Sequence, residues 1–200
     1  MTEYYIPGAT PAFVRAGQPF TLSGVQYPRK WLALASAGDL TEIGAAAKPA
    51  PGTDEVVEQG ETGWVVREMT GSEEEALFAV AKAQKLADLA AMRRTVETAG
   101  IVRNGAIIAT DRESQAMLSG ALQLVQDDDQ VIIDWKADNG WVQLDAAGVT
   151  YIAREVGLHK QAAFSREKVL ATAINACTTA QELAAVDITT GWPSNTEEPE

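Results

Sequence analysis

The stretch that decides the fold is residues 97–144, ETAGIVRNGAIIATDRESQAMLSGALQLVQDDDQVIIDWKADNGWVQL. It holds two Asn-Gly pairs, Asn104-Gly105 and Asn139-Gly140, each set between short β-rich runs at 101–103 with 106–109 and at 131–136 with 141–144. Asn-Gly accepts the positive φ angles of a type I′ turn, whose twist matches that of the paired strands, so both runs read as hairpins. Between them a helix is expected over about 112–125, with Met117, Leu118, Ala121, Leu122 and Val125 recurring on one face. Thr110 and Glu113 stand at capping-box spacing ahead of it. The stretch therefore predicts a compact α+β module, and no reaction chemistry is visible in it.

Working outward, the preceding segment predicts a helix over 73–98. Ser72 and Glu75 have capping-box spacing, and Glu73, Glu74 and Glu75 suit the positive end of the helix dipole. Phe78, Leu86, Leu89, Met92 and Val96 fall on one side, and Gly100 is placed to stop the helix. A core-packing helix is the ordinary reading, a dedicated partner helix the alternative. On the other side, Asp145 is placed to cap a helix over 146–177 that bends near Ser165 if it bends at all. Val149, Val156, Ala163, Leu170 and Cys177 recur every seven residues, but His159, Lys160, Arg166 and Glu167 make the middle of that seam polar. Packing across the sheet is favoured over a coiled coil, which needs both seam positions apolar over several turns. Thr179 with Glu182 starts a short last helix carrying Leu183 and Val186. Residues 189–200 form an acidic tail containing Trp192.

The amino-terminal third reads differently. Pro7-Gly8, Pro11, Gly17 and Pro19 interrupt any regular element, which predicts an extended arm with short strands. Tyr27, Trp31 and Leu32 suggest a small satellite core, followed by a Ser-bearing turn and short helix over 36–43. Residues 45–53, with Lys48-Pro49-Ala50-Pro51-Gly52, have the composition of a semi-rigid linker. The runs 55–59 and 64–67 flank Gly60-Glu61-Thr62-Gly63 as a hairpin with a four-residue loop. Three parts result: arm and β-rich region over 1–71, module over 72–188, tail over 189–200. The expected fold class is α+β, with helices packed on one face of a small antiparallel sheet built from hairpins, preceded by an extended arm and a small β-rich region.

The string Glu97-Thr98-Ala99-Gly100, Asn104-Gly105, Thr110-Asp111-Arg112-Glu113-Ser114-Gln115 resembles a domain of unknown function found in tailed-bacteriophage proteins, those associated with tail fibres and their assembly. The resemblance continues through Trp135-Lys136, Asn139-Gly140, Leu144-Asp145-Ala146, His159, Phe164 and Glu167, to about Glu182-Leu183. Residues 24–32 also resemble a short motif from the beginnings of phage tail and fibre-associated proteins. The resemblance implies a phage-tail setting: a structural component at the baseplate or fibre attachment, or else a fibre-assembly chaperone absent from the finished virion. It supplies no catalytic residues.

Charge and composition narrow the classes. A formal net charge of −12 opposes binding to nucleic acid or anionic lipid, and 46% hydrophobic residues suffice for a real core. One cysteine, Cys177, gives no internal disulfide framework, and with one histidine, His159, the chain lacks the His/Cys set of a zinc site. Asp127-Asp128-Asp129 reads as a solvated turn. Neither a phosphate-binding glycine loop nor a nucleophile elbow is present. No cofactor, metal or enzymatic activity is expected, and synthesis is expected in the host cytoplasm without export. The expected partners are other phage tail or fibre proteins, with self-association an option. Tyr4, Tyr5, Phe13 and Trp192 are the candidate anchors, because their segments offer few apolar neighbours, whereas Trp64, Trp135 and Trp141 lie in strands with a core of their own.

Overall fold

The computed structural model describes residues 2–8 and 12–196; the expectations placed on Pro11 and on the last four residues of the tail lie outside them. Short hairpins alternate with helices, and the chain divides into two compact units between Leu77 and Phe78. The structure is α+β with small antiparallel sheets of hairpins.

In the first unit β1 (Glu3–Ile6) lies between β2 (Ala12–Arg15) and β5 (Ala46–Ala47), antiparallel to both. A hairpin of β3 (Phe20–Leu22) and β4 (Val25–Tyr27) follows. Its two turn residues, Ser23 and Gly24, both have positive φ, 49° and 80°, as a type I′ turn requires. Then come α1 (Trp31–Leu34) and α2 (Ala37–Glu42), the latter opened by a Ser36/Asp39 capping box. The hairpin of β6 (Glu55–Gly60) and β7 (Gly63–Glu68) pairs through Gly60 and Gly63, so its loop is two residues rather than four. The expected extended arm is instead folded on itself. Gly17 at φ 98° helps turn the chain back, and the apolar residues of successive short strands meet. Ile6, Val14, Phe20 and Leu32 are buried, ringed by Tyr4, Leu22, Tyr27, Trp31, Leu40 and Ile43. Part of the expected linker is strand β5.

Helix α3 (Gly71–Thr98) spans the division. Its capping box is Thr70 with Glu73, two residues ahead of the expected Ser72 and Glu75: the Thr70 hydroxyl accepts from the Glu73 amide at 3.3 Å, and Glu73 accepts from the Thr70 amide at 2.9 Å. The second unit continues with β8 (Ile101–Arg103), β9 (Ala106–Ile108), α4 (Arg112–Asp127), β10 (Ile133–Ala137), β11 (Gly140–Leu144), α5 (Ala146–Ala176) and α6 (Ala180–Ala185). Asp145 caps α5 by accepting from the Gly148 amide at 2.8 Å, and Thr179 with Glu182 caps α6. α5 runs unbroken through Ser165 for 31 residues, about 45 Å.

Two apolar clusters make the core of this unit. In the first, Ile101, Ala106, Ile108, Trp135 and Ala137 from one face of the hairpins meet Leu118 and Val125 of α4 and Val149, Ile152 and Val156 of α5. The second gathers Leu89 of α3, Leu170 and Ile174 of α5, Cys177 and Leu183. Burying each of the fully enclosed Ile101, Ile108 and Ile174 contributes about 1.5–3 kcal/mol. Val149, Val156, Ala163 and Leu170 of α5 and Cys177 just past its end are all buried, so the seam expected from spacing packs within the unit.

The two Asn-Gly turns differ. Asn104 and Gly105 occupy a type I′ turn at φ 49° and 76°. At the second, Ala137 pairs with Gly140, so the loop is Asp138-Asn139, neither at positive φ, and Gly140 at φ 146° begins β11. The Asn139 side chain explains the shift. Its Oδ1 accepts from the Ile107 amide at 2.9 Å and its Nδ2 donates to the Gly105 carbonyl at 2.8 Å, while the Asp138 amide donates to the Ile107 carbonyl at 3.0 Å. These bonds fasten one hairpin beside the other.

Candidate functional site

Between its two apolar clusters α5 presents His159, Lys160 and Glu167, and the carboxy-terminal part of α3 supplies Arg93, Val96 and Glu97. Gly100, at φ 79°, turns the chain out of α3. A Cβ there would sit 3.1 Å from the Ile108 carbonyl oxygen, so close backbone approach requires glycine. Thr110 is fully buried at the joint: its hydroxyl donates to the Glu97 carbonyl at 2.7 Å and accepts from the Gly100 amide at 3.0 Å. The residue two places before α4 thus satisfies a carbonyl at the end of α3. Its neighbour Asp111, not Thr110, is the cap of α4, accepting from the amides of Glu113 at 2.9 Å and Ser114 at 3.1 Å. The expected cap is displaced by one residue because the Thr110 hydroxyl is already used.

Side chains extend the joint into a network. Gln115 donates to the Thr110 carbonyl and accepts from Lys160, which pairs with Glu97 at 3.3 Å. Glu97 also pairs with Arg93, which reaches Glu167 at 3.2 Å and lies with its guanidinium 4.6 Å from the centroid of the Phe164 ring. His159 is buried, and its Nε2 donates to the Val96 carbonyl at 3.0 Å. Glu97, Gly100, Thr110, Gln115, His159, Phe164 and Glu167 all belong to the string quoted from the sequence, and the fold brings them to one place. The polar middle of the α5 seam is this network. Its members are largely enclosed, with 12–28% of the side-chain surface exposed across Arg93, Glu97, Lys160 and Glu167. Removing one member leaves others unsatisfied in a low-dielectric setting.

The arrangement locks three helices together. The Ser114 amide and hydroxyl hold the Asp111 carboxyl below its usual range, with the Glu113 amide adding to this. Bonds from the hydroxyl and amide of Thr189 and the hydroxyl of Thr190 hold Asp187 at about 2. A carboxylate held so low is an acceptor throughout the neutral range and makes a poor general acid there. Cys177 is buried and donates to the Ala173 carbonyl, as a small core residue. Among the described residues no group of three or more His, Cys, Asp or Glu is placed to hold a metal ion, and no helix is long and apolar enough to cross a membrane.

The four candidate anchors all have apolar neighbours within their own unit, contrary to expectation. Tyr5 is buried, with its ring centroid 5.3 Å from that of Phe13, and Phe13 meets Trp64 edge-on at 4.7 Å. Trp64 in turn donates from Nε1 to the Ala46 carbonyl at 3.0 Å. Tyr4 packs on the first unit's core. Trp192 lies against the Leu89–Ile174 cluster and donates to the Ile188 carbonyl at 2.9 Å. The tail also covers the free edge of β8, where the Val102 amide donates to the Asn195 carbonyl at 2.7 Å. Trp141, expected in a core, is instead 71% exposed on the outer face of its hairpin beside Lys136. The alternation of β10 and β11 carried that signal: Trp135 and Trp141 fall on opposite faces whichever pair closes the turn.

Residues 80–190 match the family described as Domain of unknown function (DUF4376). No curated protein and no solved structure matches the chain.

Proposed function

The chain belongs to the family of the Domain of unknown function (DUF4376), and from that premise we propose that it is a structural component of a bacteriophage tail, at the baseplate or fibre attachment, acting through protein–protein contacts. The observation that carries the reading is the use made of the resembling string. Its polar residues close helix ends and tie α3, α4 and α5 together, as in a rigid module that presents surface to partners. The strongly acidic surface suits protein partners better than nucleic acid or anionic membranes. Partners in this reading are other tail or fibre proteins, and the protein resides in the tail after synthesis in the host cytoplasm.

Quantitative proteomics of purified particles of the encoding phage tests it. The chain is expected at a fixed copy number in step with known tail proteins. Its absence from particles, together with co-purification with free fibre protein from infected cells, overturns the structural role in favour of an assembly chaperone.

A further inference from the structure

We propose that β11 is a self-pairing edge through which two copies of this chain join antiparallel, strand to strand. The proposal stands apart from the tail reading, since it rests on the strand alone. The two hairpins of the second unit are separate two-stranded sheets, β9 meeting the second hairpin where Ile107 bonds to Asp138 and Asn139, and β8 and β11 are the strands that take no part in that joint. These edges are treated differently. β8 is covered by the tail through the bond from Val102 to Asn195, whereas among the described residues β11 has no backbone partner beyond β10. Edge strands are ordinarily protected by charge, proline or a bulge. β11 reads Gly-Trp-Val-Gln-Leu, with none of these, on a chain of formal net charge −12. It is an uncharged strip on a surface that otherwise repels a second copy.

The sequence of β11 favours itself as occupant. An antiparallel pair centred on Val142 sets Trp141 opposite Gln143 of the other copy and makes the two Trp141 rings diagonal neighbours on one face. Aromatic side chains reach across that separation, and each ring covers the other. This gives a partner to a tryptophan that is 71% exposed in the single chain. Charges agree with the same register. Lys136 is the cross-strand partner of Trp141, and Asp134 that of Gln143. Each row across the joined hairpins therefore reads Lys136, Trp141, then Gln143 and Asp134 of the second copy, one charge of each sign. A pair of five-residue strands buries less than the ~1,000 Å² of a standard stable interface, so the dimer forms with rising concentration and is not obligate.

Sedimentation velocity of the full chain from low micromolar to millimolar concentration, with amide exchange across the same range, reads the proposal directly. The expected result is a monomer–dimer equilibrium with protection of β11 amides that grows with concentration. Trp141→Glu keeps an outward-facing side chain and sets it opposite Lys136, so the fold is retained, but it puts two like charges at the diagonal contact and the dimer is lost. A wild-type chain that stays monomeric throughout overturns the proposal. So does a dimer in which β11 exchange is independent of concentration, or a folded Trp141→Glu variant that dimerises as strongly as wild type.

Discussion

The two units are built from different lengths of regular structure. The second rests on helices of 16 to 31 residues, whose apolar positions recur often enough to define faces before any partner is known. The first rests on strands of two to six residues, of which β1, β2 and β3 contribute one or two buried side chains each and β4 to β7 none, and on an aromatic group of Tyr5, Phe13 and Trp64 drawn from separate strands. Long elements carry their packing instructions internally, while short ones carry them only in combination. The same contrast bears on cooperativity, because each apolar cluster lies within one unit.

The substitutions with the largest expected effect test that separation. Ile174→Ala, at a fully enclosed position of α5, is expected to cost about 2–5 kcal/mol, and Leu32→Ala in the first unit an amount in the same range. Amide exchange resolved by residue should show Ile174→Ala lowering protection in the second unit and Leu32→Ala in the first. If either change removes protection equally from both, the chain is one cooperative body and the contrast fails.

A smaller effect sharpens the contrast between locking and ordinary helix hydroxyls inside the second unit. Thr110→Val keeps the shape of a fully buried side chain but removes both its bonds, leaving the Gly100 amide without that acceptor, at a cost of about 1–3 kcal/mol. Thr150→Val removes only an exposed bond to the Ala146 carbonyl of the same helix and is expected to stay within about 0.5 kcal/mol. Chemical denaturation of both variants decides the matter. Equal losses would mean that Thr110 has no special part in joining α3 to α4.

What the sequence disclosed follows from where the information lies. The hairpins, the long helices and the caps at Asp145 and Thr179 were legible because each depends on residues within a few positions of one another. The displaced cap at Asp111 was not, since it depends on Thr110 bonding back to Glu97 and Gly100. The second turn was misplaced by one residue for the same reason: Asn139 is drawn to Ile107 and Gly105 in the other hairpin. The outward facing of Trp141 was legible in either register, because strand alternation puts it on the face opposite Trp135 whichever pair closes the turn. The folded amino-terminal unit escaped because its turns are made by Ser23-Gly24 and by glycines between prolines, which read equally well as interruptions of an arm. The joint of Glu97, Thr110, Gln115, Lys160 and Glu167 was half visible. The sequence placed a polar stretch in the middle of α5 without revealing that α3 brings the matching charges to it.

The smallest expected effect concerns acid. Among the described residues each unit has a carboxylate held at about 2, and each is solvated, so the contribution is slight beside that of the core. In the first unit Arg67 donates to Glu73 from both terminal nitrogens, at 2.7 and 2.8 Å, while the amide and hydroxyl of Thr70 add further bonds. Asp187 plays the corresponding part in the second unit, with Thr189 as its main donor. Both folded values lie below the ordinary ones, 4.5 for Glu73 and 3.8 for Asp187, so the folded state binds these protons less readily than the unfolded chain. The stabilisation is therefore complete above the ordinary values and is lost as the pH falls through about 2. Glu73→Gln should melt lower than wild type at neutral pH, and the gap should close between about 4.5 and 2; Asp187→Asn should behave likewise between about 3.8 and 2. Melting curves followed by residue-resolved exchange assign each loss to its unit. A gap that stays constant down to pH 2 would show that the substitution acts through lost packing rather than through the carboxylate's charge.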